Sequence, residues 1–220
     1  MAKSKKQKQK KLAAKRGKKV IKKKRALAQA GPASLMKGFS DAGRFPVHES
    51  LVSTELFDGN VGMCTAILSR KLPAGHIAAG VFMIDLYCLG VKNADARIFT
   101  TYEYREYIAL LEQRHDFREI EAPCLVKLVR DSVDYARDLG LLPHNDYRKA
   151  QKIFGDIDTA TCATEYTFGK DGKPFYIAGP YESPLRIKQI VDQLTKRLGS
   201  DGFEVVIPMG NVDDFGDEAD

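Results

Sequence analysis

Asp85 stands alone in Val81-Phe-Met-Ile-Asp-Leu-Tyr-Cys-Leu-Gly90, the most apolar run of the chain. A carboxylate among such neighbours is costly unless it is paired or hydrogen-bonded. As a functional group it would be a metal ligand or a general base whose pKa burial has shifted. As a structural group it would pair with a basic side chain of a covering element, with Lys92, Arg97 or Arg137 as candidates. His144, Asn145, Asp146, Asp156 and Asp158 form the densest polar constellation. Asp156 and Asp158, taken with Asp85, have the oxygen chemistry of a hard divalent cation site, and His144 is a candidate base. The catalytic candidates are therefore Asp85, His144, Asp156 and Asp158. The metal candidates are Asp85, Asp156 and Asp158. The loop residues have equally the composition of helix caps and Asp turns. A helix between Asp146 and Phe154 would also hold its two ends about 15 Å apart, so all five cannot converge without a fold-back.

Other chemistries are weaker. His48, His76, His115 and His144 show no zinc-ligand spacing with Cys64, Cys88, Cys124 and Cys162. A Cys88–His144 nucleophilic pair lacks a visible base or oxyanion context, and a Cys in such a run reads as a buried hydrophobe. Gly169-Lys-Asp-Gly-Lys-Pro174 is glycine-rich and basic, but it joins two strands and lacks the phosphate-loop pattern. Gly179-Pro-Tyr-Glu-Ser-Pro184 is a better anion candidate, because it leads into a helix N-terminus with free backbone N–H groups.

The charge is not evenly spread. Residues 1–25 carry 14 Lys and Arg and no Asp or Glu, whereas 21 basic residues face 29 acidic ones from Ala26 onward. The overall +6 therefore hides a body near −8. Lysines at this density neutralise phosphates, release counterions and give salt-dependent, sequence-indifferent binding. The candidate nucleic-acid-binding residues are Lys5, Lys6, Lys8, Lys10, Lys11, Lys15, Arg16, Lys18, Lys19, Lys22, Lys23, Lys24 and Arg25. A solubility or targeting tail, or one that folds back on the acidic body, explains the same composition. No RNA-recognition aromatic signature or zinc-finger spacing accompanies it.

The elements that would position these residues read as follows. Val61 to Leu72 is a strand, Pro73 to His76 a turn, and Ile77 to Gly90 a second, long strand, so the two form a hairpin. Both faces of the second strand are largely apolar, which predicts a central strand covered on both sides. Arg97 to Thr101 is a short third strand. Thr101 to Gln113 is a helix with Thr101 at its N-cap. Pro123 starts another helix with Leu125, Leu128, Val129, Val133 and Ala136 on one face and Gly140 at its end. A short helix over Asp146 to Phe154 follows. Asp171-Gly172 marks a hairpin between Glu165–Phe168 and Pro174–Ile177. Ser183-Pro184 opens a last helix with an apolar stripe from Ile187 to Leu198, and Phe203 to Ile207 is a closing strand.

The fold class is α+β: a mainly antiparallel sheet with a long central hairpin, covered by three to four helices. Residues 1–30 read as a disordered Lys-rich tail, 31–46 as a linker, 47–210 as a single domain and 211–220 as an acidic C-terminal tail. No apolar leader opens the chain, and no run approaches the ~18–20 residues of a membrane span. Free, mostly buried thiols, a soluble protein and a cytoplasmic location are the expectations.

From Val61 to Ile207 the body resembles a family of uncharacterised bacterial proteins, a domain of unknown function. The likeness rests on Val81–Lys92 (VFMIDLYCLGVK), Tyr135–Tyr147 (YARDLGLLPHNDY), Phe154–Asp158 (FGDID) and Phe168–Pro180 (FGKDGKPFYIAGP). The resemblance implies no activity and no catalytic residue. The basic tail lies outside it and is similar in composition to tails of ribosomal and other RNA-associated proteins. The leading expectation is a non-enzymatic protein holding RNA or a ribonucleoprotein surface through its tail, with no cofactor. The alternatives are a divalent-metal-dependent hydrolase or nuclease using the body carboxylates, and a protein-interaction module that pairs with a second copy. No membrane partner is expected.

Overall fold

The structure, a computed structural model, describes residues 38–59 and 61–208. The basic stretch 1–30 and the acidic stretch 211–220 lie outside the described residues. Strand β1 is Val47–Ser53, β2 Met63–Leu72, β3 His76–Asp85 and β4 Gly90–Thr100. Helix α1 is Thr101–Glu112, and β5, Phe117–Glu119, returns to the sheet. Helices α2, Ala122–Asp138, and α3, Tyr147–Ala150, follow. The chain ends with β6, Phe175–Ile177, α4, Pro184–Leu198, and β7, Glu204–Val206. The five-stranded sheet has the order β4-β3-β2-β1-β5 and is antiparallel throughout.

Period-two alternation decides the two faces of the sheet. From β2, Cys64, Ala66 and Leu68 turn to one side; from β3, Ala78, Phe82 and Ile84 join them. Leu125, Val126, Leu128, Val129 and Val133 of α2 cover this face. Each such side chain taken fully out of water contributes roughly 1.5–3 kcal/mol, so this layer dominates the stability. The opposite face is covered over part of its length. There Ile77 and Ala79 pack under Tyr104 of α1, while Met83 is 40% exposed. A second cluster joins the C-terminal turn of α2 to α4 through Ala136, Leu139, Tyr176, Ile187, Ile190 and Leu194.

Several expectations are corrected in detail. The second strand stops at Asp85 rather than Gly90, because residues 86–89 turn the chain back. The third strand is therefore the eleven-residue β4. β1 was not anticipated, since Val-His-Glu-Ser-Leu-Val-Ser mixes polar and apolar residues. The N-cap of α1 is Thr100, in a capping box with Glu103, and Thr101 instead donates to Gly75 O. Phe39 and Ala42, assigned to a linker, are buried in the main core. The Asp171-Gly172 turn forms with both residues at positive φ, but β6 pairs in parallel with β7 instead of with residues 165–168.

The end of α2 follows its sequence closely. Gly140 has φ +79°, Gly140 N–H reaches Arg137 O at 2.8 Å and Leu141 N–H reaches Ala136 O at 2.9 Å. This is the paired Schellman bonding that a C′ glycine permits. The start of α2 holds a correction. Cys124 in its first turn is joined by a disulfide to Cys162, with the Cα atoms 5.1 Å apart. Only Cys64 and Cys88 are free, and both are buried. Two cysteines separated by 38 residues give no spacing signal; the fold brings them together. No helix among the described residues is long and apolar enough to cross a membrane.

Candidate functional site

Asp85 is the last residue of β3 and is 6% exposed. Its Oδ1 accepts the backbone N–H of Tyr87 at 2.9 Å and of Cys88 at 3.1 Å, which closes the turn into Gly90. Burial pushes its carboxyl up to about 6, against the backbone N–H groups and the charge of Lys92. The expected basic partner is thus corrected. Lys92 Nζ pairs with Glu182 Oε1 at 2.8 Å, Arg97 pairs with Asp95, and Arg137 pairs with Asp134. The turn delivers two N–H donors directly to the carboxylate, so no cation needs to be drawn into the core.

The other candidates occupy separate settings. His144 donates its backbone N–H to Val91 O at 2.9 Å, and its Nδ1 accepts from Asp146 N–H at 3.3 Å. Asp146, an expected cap, stands before α3 but its side chain makes no capping bond. Asp158 caps the 3-10 turn Thr159–Thr161, its Oδ1 accepting from Ala160 N–H at 3.0 Å. Asp156 is exposed beside the 3-10 turn Gln151–Phe154 that continues α3. Among the described residues no group of three or more His, Cys, Asp or Glu side chains is placed to hold a metal ion. Asp85, Asp156 and Asp158 are therefore not brought together. Cys88 is sealed, and burial together with the nearby Asp85 pushes its thiol up to about 12. Lys5 to Arg25 lie outside the described residues.

The Gly179 to Pro184 loop is filled by its own groups. Glu182 accepts from the Tyr176 hydroxyl and from Lys92, and Ser183 Oγ accepts from Arg186 N–H at 3.3 Å. Burial pulls the Glu182 carboxyl up, but Lys92 and Tyr176 outweigh it and hold it below its ordinary value. Large apolar side chains remain exposed nearby: Tyr181 wholly, Leu185, and the paired Ile177 and Val206.

A cleft of about 730 Å³ opens where the 3-10 turn Ala42–Arg44 packs on the turn Gln151–Phe154. Its lining includes Arg44, Arg130, Lys152, Phe154, Gly155 and Asp156. The two turns touch backbone to backbone. A Cβ on Gly43 would lie 2.6 Å from Gly155 Cα and 2.7 Å from Lys152 O, so only glycine allows this approach. Behind the junction lies Arg70 of β2, 5% exposed. Its guanidinium donates to Ile153 O at 2.9 Å, Phe154 O at 2.5 Å and Phe45 O at 2.6 Å. Those bonds hold both turns in place. Burial pulls the Arg70 pKa below its ordinary value, and the charge of Asp156 opposes that shift.

Sequence reasoning missed this cleft. Arg70 carried a legible signal, a cation inside the apolar strand Ile67-Leu-Ser-Arg-Lys-Leu72, of the same kind that singled out Asp85. Arg44, Arg130 and Lys152 carried none, because they lie far apart in the chain and meet only through the fold. No family model, curated protein or solved structure matches the chain.

Proposed function

We propose that the protein is a non-enzymatic RNA-binding protein anchored by its Lys-rich N-terminal segment. The observation that carries this reading is the charge segregation: 14 Lys and Arg without one Asp or Glu in residues 1–25, joined to a body with more acid than base. Such a segment meets many phosphates at once and gains from the counterions they release. Because the bonds are to phosphate, the binding is indifferent to base sequence.

The test is the salt dependence of binding to a labelled oligouridylate by the full chain. A steep fall of log affinity with log salt is expected for the native sequence. Replacing the thirteen basic residues from Lys5 to Arg25 by Gln removes most of that slope. Binding that stays equal at low and high salt, before and after the replacement, overturns the reading.

A further inference from the structure

The cleft between the turns Ala42–Arg44 and Gln151–Phe154 has the chemistry of an anion site. Arg44, Arg130 and Lys152 surround it, and none of the three is in an ion pair with another described residue. The one carboxylate in its lining is the exposed Asp156, so three cations stand against one acid round the cleft. The Arg130 guanidinium sits 5.8 Å over the Phe154 ring, a contact that helps to hold the side chain and leaves its N–H edge for another acceptor. The floor is rigid, because Arg70 ties it to three backbone carbonyls and Gly43 seats against Gly155. A volume of about 730 Å³ takes more than a single phosphate group.

Position adds to charge. The described chain begins at Gly38 and reaches the rim at Ser40, Gly43 and Arg44. Gly38 stands thirteen positions after Arg25, and extended chain covers at most about 3.5 Å per residue, so the connection between them spans at most about 45 Å. A strand of nucleic acid held by the segment would meet the cleft at a high effective concentration.

We infer that this cleft is a phosphodiester-binding subsite, formed by Arg44, Arg130 and Lys152, which continues the basic N-terminal segment onto the body. The inference rests on the RNA-binding reading above. It gives the body a fixed place on the strand, which a basic segment alone does not supply.

The experiment uses the full chain and a labelled twelve-residue oligouridylate. The pair Arg130→Gln with Lys152→Gln removes two cleft cations. The pair Lys188→Gln with Lys196→Gln removes the same charge from the exposed face of α4. The cleft pair is expected to lower the salt slope by about 1.4, at about 0.7 per phosphate contact on a single strand, and to weaken binding about tenfold near 0.1 M salt. The α4 pair is expected to leave the slope unchanged. If both pairs behave alike while the Gln-substituted segment loses binding, the cleft inference is overturned and the RNA reading stands. If the native chain shows no salt-dependent binding, both fall. Calorimetric titration with inorganic phosphate separates a small phosphate ligand. Micromolar binding of phosphate that the cleft pair abolishes, with the RNA slope untouched, assigns the cleft to such a ligand and overturns the inference. Unchanged thermal unfolding of the cleft pair shows that lost binding is not lost folding.

Discussion

Two regions of this molecule handle charge in opposite ways. At the Asp85 turn a buried carboxylate takes its hydrogen bonds from the backbone N–H groups of Tyr87 and Cys88, two and three residues on. At the cleft beside Gly43 and Gly155, Arg44, Arg130 and Lys152 have no ion-pair partner among the described residues. A charge whose partners lie within the same turn belongs to the architecture. Cations gathered round a cleft and left out of any ion pair with a described residue are the ones we assign to an outside ligand. Arg70 stands between the two cases: it lies under the cleft, yet its guanidinium is consumed by three carbonyls.

That contrast predicts where substitution hurts the fold. Arg70→Ala is expected to have the largest effect, because it strips three carbonyls of a charged donor at once. At roughly 1.5–3 kcal/mol for each charge-assisted bond, discounted for partial rehydration, the loss is on the order of 5 kcal/mol. Urea unfolding of the variant measures it. A loss below about 1 kcal/mol would place Arg70 with the cations of the cleft and remove the distinction between them.

The disulfide comes next. It ties the first turn of α2, the helix that carries Arg130, to the loop that follows Asp158. Closing a loop of 38 residues corresponds to about 4 kcal/mol in the chain-entropy account. Cys124→Ser with Cys162→Ser should therefore lower stability by up to that amount, and reductant should reproduce the loss in the native chain. An unaltered urea midpoint in both cases would show that α2 is held by packing alone.

Asp85 should show itself through pH. Its folded pKa, about 6, lies above the ordinary 3.8. Between those values the folded chain binds more protons than the unfolded one, so stability falls as pH rises through this window. Above it the buried charge costs up to about 3 kcal/mol, at 1.36 kcal/mol per unit. Asp85→Asn keeps an Oδ1 acceptor for Tyr87 and Cys88 and removes the charge. It should match the native chain near pH 4 and exceed it at pH 8 by up to that amount. Urea unfolding at pH 4, 6 and 8 checks this; a gap that does not change with pH would mean that the carboxylate is not desolvated.

The helices were more legible than the strands. α2 and α4 have caps, terminal glycines and apolar stripes within one continuous segment; Gly140 and Ser183-Pro184 take the places they signal, while α2 begins one residue before Pro123, at Ala122. The end of β3 was less legible, because Leu86 to Leu89 continue the apolar run while Asp85 turns the chain back through backbone bonds that composition does not reveal. β7 was recognised as a strand, but its parallel pairing with β6 depends on the whole of α4 between them. For the site, Asp85 and Asp156 were singled out for shared chemistry that the fold does not assemble. The cleft was invisible for the converse reason. Its residues come from the entry to the body, from α2 and from the turn after α3, and tertiary contacts draw those segments together: Gly43 against Gly155, Arg70 on the carbonyls of both turns, and Arg130 over Phe154.

The smallest effect on the fold is expected at the cleft itself. Arg44 and Lys152 are exposed, and no carboxylate in the described residues pairs with Arg44, Arg130 or Lys152. Their removal breaks no ion pair and strips no buried group of its donor. Arg44→Gln, Arg130→Gln and Lys152→Gln should each change stability by less than about 0.5 kcal/mol, as surface substitutions away from special features do. Arg130 is the most demanding of the three, because its guanidinium lies over Phe154. If Arg130→Gln instead costs as much as Arg70→Ala in urea unfolding, the Arg130 cation belongs to the fold. If the three variants unfold like the native chain, these cations are not needed by the fold, which separates them from Arg70 and leaves their part in binding to the salt-slope experiment.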